Sequence, residues 1–166
     1  MTDDSARLHL PMLRVGQAQK EATHNEALTL IDLAMQPSVV AIGLNAPPTS
    51  PAIGQCWIVG PEPIGGWTGQ AGALAGWTAG GWRFVAAREG MVVALEGGML
   101  DVRYHAGQWV CGVVAAATVT VDGLSVLGAR QPAIASPSGG DSVDEAARVA
   151  IGQILESLRE HGLIAS

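Results

Sequence analysis

Charge is scarce in this sequence. Asp, Glu, Lys and Arg make up 14% of its 166 residues, well below what a free soluble surface usually carries, so part of the surface is expected to be covered by other subunits. The nine Lys and Arg form no stripe and the formal net charge is −6, which argues against a partner held along a phosphate backbone and so against nucleic acid. Cysteine occurs twice, at Cys56 and Cys111. That is too few for a stapled scaffold, and the spacing is that of no metal or redox motif, so both read as small core residues. No apolar run approaches the roughly 20 residues that span a bilayer, so membrane insertion is not expected. The opening stretch, MTDDSARLHL, is acidic where a signal peptide would be basic. The chain is therefore expected to be made in the cytoplasm, and to be able to leave the cell within a particle released by lysis.

Recognisable chemistry is equally scarce. There is no strained Ser or Cys nucleophile motif, no Gly-rich phosphate loop followed by Lys-Ser or Lys-Thr, and no metal-ligand spacing among His9, His24, His105 and His161. Catalytic, cofactor and metal sites are all expected to be absent. Glu89, Glu96, Asp101 and Asp122 are the carboxylates that would have to converge if the chain cleaved glycosidic bonds. Gln17, Lys20 and His24 stack on one side of a helix near Glu21, a stripe better suited to solvent or a subunit than to catalysis.

What the chain does have is a run from Gly54 to Glu89 in which Trp57, Trp67, Trp77 and Trp82 recur among glycines with almost no charge. Glycine supplies the positive φ of tight turns and Trp supplies contact area, so this is a small β module. Before it, Gln17–Met35 carries good helix formers with Ala27, Leu28 and Ile31 on one face, and Pro37 ends it. A short strand is expected over Ser38–Leu44, then a stiff Pro-rich linker marking a composition boundary. Later strands are Gln55–Val59, the Trp77 and Trp82 segments, a Met91–Glu96 and Met99–Tyr104 hairpin turning at Gly97-Gly98, and Trp109–Val114. Asp122-Gly123, flanked by Thr118–Val121 and Leu124–Leu127, is the clearest hairpin signal. After the loop 129–140, Ser142 and Glu145 form a capping box that opens a helix running to about His161. The expected fold is thus α+β: a small antiparallel β module, sandwich or barrel-like, flanked by an N-terminal and a C-terminal helix. The corresponding segments are 1–45 for docking or assembly, 46–128 for the β module and 129–166 for the loop and oligomerisation helix.

Two groups of residues are candidate contact sites. In the last helix Ala147, Ile151, Ile154 and Leu158 follow the alternating spacing of a coiled-coil seam, and Ile at such positions leans toward trimers or tetramers. This face serves either self-association, which is favoured, or packing on the chain's own β module. Trp67, Trp77, Trp82, Tyr104 and Trp109 are either mostly core, which is favoured, or a row of rings on which sugars stack, with Gln70 or Gln108 as hydrogen-bonding companions. If some are exposed, Trp67 and Trp77 are the expected pair, because they lie in the most Gly-rich stretch.

The runs PMLRVGQAQKEATHNEALTLID, APPTSPAIGQCWIVG, GGWTGQAGALAGWTAGGWRFVAAREGM and VDEAARVAIGQILESLREHGL resemble a domain-of-unknown-function family (number 2793) found in prophages and gene transfer agents of alphaproteobacteria, similar to phage tail-fibre proteins. The resemblance spans nearly the whole chain. It implies a trimeric structural component, not an enzyme, that joins tail or baseplate proteins of a phage-like particle and meets a host surface polysaccharide. An alternative of another class is a carbohydrate-binding module or a depolymerase acting on capsule or lipopolysaccharide.

Overall fold

The computed structural model describes residues 4–13, 20–140 and 144–165. The chain divides into two compact units, Met1–Val113 and Val114–Ser166. The first contains helix α1 (Lys20–Ala34) and strands β1 (Ser38–Val39), β2 (Ala41–Leu44), β3 (Cys56–Val59), β4 (Leu74–Thr78), β5 (Gly81–Val85), β6 (Val92–Leu95), β7 (Asp101–His105) and β8 (Gln108–Cys111). The second contains β9 (Val119–Val121), β10 (Leu124–Leu127) and helix α2 (Glu145–Glu160). The protein is α+β, with a helix near each end of a mostly β chain.

Among the described residues of the first unit, two four-stranded sheets form, in the orders β2-β3-β4-β5 and β1-β6-β7-β8. Strand β3 shows why they pack together. All four of its residues are buried, and because successive side chains point to opposite faces, Cys56 and Ile58 enter one core while Trp57 and Val59 enter another. The first core lies between the sheets and joins Ile58 and Leu74 of one to Val93 and Val102 of the other, with Leu33 of α1 added. The second lies on the outer face of the β3 sheet and consists of Trp57, Val59, Trp67 and Ala75, with Trp77, Trp82 and Phe84 packed around them.

The sheets are mixed, which corrects the expectation of an antiparallel module. Strand β1 runs parallel to β6 and β2 runs parallel to β3, each pairing lying at one edge of its sheet. The expected single strand over Ser38–Leu44 breaks at Val40, whose amide donates to the Cys56 carbonyl at 2.8 Å, and its halves enter different sheets. A parallel neighbour requires the chain to return to the end it started from, which takes a connection of about a dozen residues. The Pro-rich stretch after β2 is that crossover, and its start is fastened by the chain after β3: Gly60 N–H meets the Leu44 carbonyl at 2.7 Å and Ile64 N–H meets the Asn45 carbonyl at 2.8 Å. The hairpin expected to turn at Gly97-Gly98 instead uses a longer loop between Leu95 and Asp101, because Ala94 pairs with Asp101 and Val93 with Val102.

Helix α1 is held by packing and by polar contacts from the segment before it. Leu33 lies over Gly76 of β4, where an added Cβ would stand 2.3 Å from Leu33 Cδ2, so only glycine lets the helix approach this closely. Arg83 of β5 donates from Nε to Glu26 Oε1 and Oε2 at 2.7 and 3.0 Å. The buried Asp32 carboxylate accepts from Ser5 Oγ at 2.8 Å, Arg7 N at 3.0 Å and Leu8 N at 2.5 Å. The Arg7 guanidinium then caps the helix C-terminus, donating to the carbonyls of Asp32, Leu33, Met35 and Gln36, which the last turn leaves without intrahelical partners. Gln36 takes a left-handed φ of 45°, and Pro37 cannot continue the helix.

In the second unit Asp122 and Gly123 both have positive φ, 49° and 78°, the primed turn that an Asp-Gly pair favours. Helix α2 is capped by Asp144, whose carboxylate accepts from Ala147 N at 3.0 Å. Ser142, expected as the cap, lies outside the described residues, as does Gln17. The segment after Gly128 has no regular secondary structure but does not simply trail away: residues 130–139 run back along α2. Arg159 reaches the Ile134 carbonyl, Arg148 reaches the carbonyls of Pro137 and Gly139, and Gln131 bridges to Ile164.

Candidate functional site

Five aromatic residues were candidates for contact with sugars, and the fold separates them into two groups. Trp67 is 0% exposed, so it cannot stack on any ligand, and the expected exposed pair of Trp67 and Trp77 is corrected accordingly. The short turn Gly65–Trp67 tucks this ring beneath Trp82, at a centroid distance of 5.2 Å and 82° between planes, with Trp57 tilted 6.4 Å away. Trp77 and Trp82 are half-buried in the same cluster, edge to face at 4.9 Å. A glycine-rich setting does not bring these rings to the surface: they pack on one another and on Val59 and Ala75 in the outer core of the β3 sheet.

Tyr104 and Trp109 form the second group, on the other sheet. They sit directly opposite each other on β7 and β8, with ring centroids 5.2 Å apart and planes inclined at 62°. Trp109 Nε1 donates to the Gly72 carbonyl at 2.8 Å, which fixes the indole plane and ties the β8 edge to the loop before β4. The two rings line a cleft of about 540 Å³ that lies between the sheets, bounded on the opposite side by Ile42, Gly43, Ile58, Val59 and Gly60. Gln108 stands at its rim and is exposed. The lining residues carry no charge. Of the predicted contacts, Tyr104 and Trp109 are therefore together and half-exposed, with Gln108 beside them, while the tryptophans that dominate the sequence are elsewhere. The missing partner was β2, whose Ile42 and Gly43 supply the far wall through a parallel pairing that local sequence pattern does not reveal.

A second cleft, about 440 Å³, lies among the segment 4–12, α1 and the β4–β5 turn, and includes Asp32, Glu26 and Arg83. Its Asp32 and Glu26 carboxylates are engaged in the contacts described above, so they serve to hold α1. Cys56 is equally structural. Burial pushes its thiol up to about 11, so near neutral pH it is a protonated core atom and not a nucleophile. Among the described residues no three of His, Cys, Asp and Glu gather in a way that would hold a metal ion. Of the four carboxylates considered for glycoside cleavage, Glu89 is paired with His105 Nδ1 at 2.5 Å and with the Ala106 amide, Glu96 accepts from Ser38 Oγ at 3.4 Å, and Asp122 is in the β9–β10 turn of the second unit. Asp101 is an exposed strand residue of β7.

The other candidate set lies on α2. Arg148, Gly152, Leu155 and Arg159 face the strap 130–139 or are the least exposed positions of the helix, and Leu155 is the buried one. The seam residues lie on the flank beside that covered face: Ala147 is exposed, Ile151 and Ile154 are 41% and 58% exposed, and Leu158, nearest the covered face, is half-buried. The hairpin of the same unit is also apolar and exposed at Val119, Val121, Leu124, Val126 and Leu127. Among the described residues of the second unit only Leu155 and Ile164 are buried hydrophobics.

Comparison with known proteins adds one match. The sequence profile of a family described as "Protein of unknown function (DUF2793)" matches residues 24–110, a span from α1 to the Tyr104–Trp109 hairpin. No curated protein matches the chain.

Proposed function

We propose that this chain, which belongs to the DUF2793 family, is a non-catalytic structural component that works as a homotrimer, a fibre or spike part of a phage-like particle that helps it attach to a host surface. The observation that carries the proposal is the second unit. A two-stranded hairpin is marginal by itself in water, and a helix of this length is too. Here the pair leaves Ile151, Ile154, Leu124 and their neighbours in solvent with almost no core of its own. Burying such a side chain fully is worth about 1.5–3 kcal/mol, so copies of the chain meeting along this surface would gain far more than the surface gains from water. The seam spacing and its isoleucines favour three copies over two. The low overall charge fits the same picture, since a subunit surface does not need charge to stay soluble.

The family resemblance supports the setting, a tail or baseplate, and the first unit offers a well-built body with an open cleft between its two sheets. The direct test is labelling. Antibodies against this chain should decorate an appendage on particles released from cells that carry its gene, and particles lacking it should lose adsorption to host cells. Particles that contain none of the chain, or adsorb equally well without it, would refute the proposal.

A further inference from the structure

We infer that the cleft between the two sheets is a binding site for one ring of a neutral saccharide, stacked on the Tyr104–Trp109 corner and hydrogen-bonded from its rim by Gln108. The inference rests on the attachment half of the role proposed above and names the chemistry of what would be bound. Four features of the cleft select this ligand class. Its volume of about 540 Å³ lies within the range of small-molecule sites, about 300–1,000 Å³. Its walls combine two aromatic rings with aliphatic surface from Ile42 and Val59, which suits the C–H faces of a pyranose.

The third feature is preorganisation. The Trp109 indole is locked by its bond to the Gly72 carbonyl, and Tyr104 braces it at 5.2 Å, so stacking a ligand there requires little ordering of side chains. The fourth is polarity without charge. Gln108 carries both donor and acceptor groups, and Gly43 and Gly107 bring bare backbone to the lining, where an added Cβ would meet nothing within 4 Å. A sugar hydroxyl both donates and accepts, and can use such groups. A phosphate or carboxylate ligand would lack a cation among the lining residues, and an acyl chain would leave the rim amide and peptide groups unpaired. The cleft is also remote from the oligomer seam in sequence and belongs wholly to the first unit, so ligand binding and self-association are separable.

The test is a titration of the full chain with methyl glucoside, methyl galactoside and N-acetylglucosamine up to tens of millimolar, followed by amide and indole shifts in nitrogen-resolved NMR spectra. At least one probe should move the Trp109 indole signal and the amides of Gly72, Gly107 and Gln108 in a saturable way. Gln108→Ala should weaken that binding roughly fivefold, the effect of one hydrogen bond, and Tyr104→Ala by roughly three- to tenfold through lost stacking. Gln108 is the exposed first residue of β8, so its variant keeps the test valid even if Tyr104→Ala folds poorly. Ile151→Asp with Ile154→Asp should leave the affinity per chain unchanged, which separates this inference from the trimer. No saturable shift with any probe, or shifts confined to the Trp77 and Trp82 indoles, would overturn it.

Discussion

The contact of Leu33 with Gly76 gives a quantitative handle on how α1 is seated. A methyl group built on Gly76 would lie 2.3 Å from Leu33 Cδ2 and 2.8 Å from Cδ1, and Leu33, at 2% exposure, has little room to retreat. Gly76→Ala should therefore act as overpacking and cost about 1–3 kcal/mol. Leu33→Ala removes the same side chain from a core shared with Val39, Cys56 and Ile58, and should cost about 2–5 kcal/mol. The double variant is the informative one. Without the leucine, the new methyl group at position 76 occupies part of the vacated space, so the double variant should be more stable than the sum of the two costs by about 1–3 kcal/mol, the size expected for residues in direct contact. Urea unfolding followed by Trp fluorescence, with m-values checked for constancy, measures all four corners of the cycle. Costs that add to within about 0.5 kcal/mol would mean that Leu33 does not sit on Gly76, and that α1 is docked differently.

The clasp on α1 is expected to respond as a unit. Arg7→Ala should cost about 1–2 kcal/mol by uncapping four carbonyls, Arg7→Lys should recover only part of it because an ammonium lacks the planar fork, and Asp32→Asn combined with Arg7→Ala should be less than additive in the same urea assay. The Glu89 carboxyl is held below its ordinary value of 4.5, first by the hydrogen bond from His105 and then by the Ala106 amide. Because the folded value is the lower one, its contribution is present above the ordinary value and is lost as pH falls through the lowered one. Side-chain carboxyl NMR should show a midpoint below 4.5 that rises toward it in His105→Ala, and an unchanged midpoint would remove His105 as the cause.

Local signals were read correctly wherever a few neighbouring residues decide the conformation. Asp122-Gly123 fixes its own turn, Pro37 stops α1, and the expected strands at Gln55–Val59 and around Trp77 and Trp82 coincide with β3, β4 and β5. What escaped was set by distant partners. The split at Val40 follows from which sheet each half joins, and nothing in the hexapeptide around it reveals that β6 and β3 lie on either side. The tryptophans were harder still, because a ring beside glycine reads the same whether it ends in the core or at the surface. For α2 the periodicity marked an apolar face, but Leu155 rather than Ile151 or Ile154 is the position covered within the chain, since the covering strap is an irregular segment with no pattern of its own.

The claim that the second unit is completed by further copies of the chain is tested most directly by sedimentation equilibrium of the purified protein over a wide concentration range. A mass three times the 17.0 kDa chain, falling to the single-chain mass in Ile151→Asp with Ile154→Asp, is the predicted result. A single-chain mass at every concentration, unaffected by those substitutions, would contradict it.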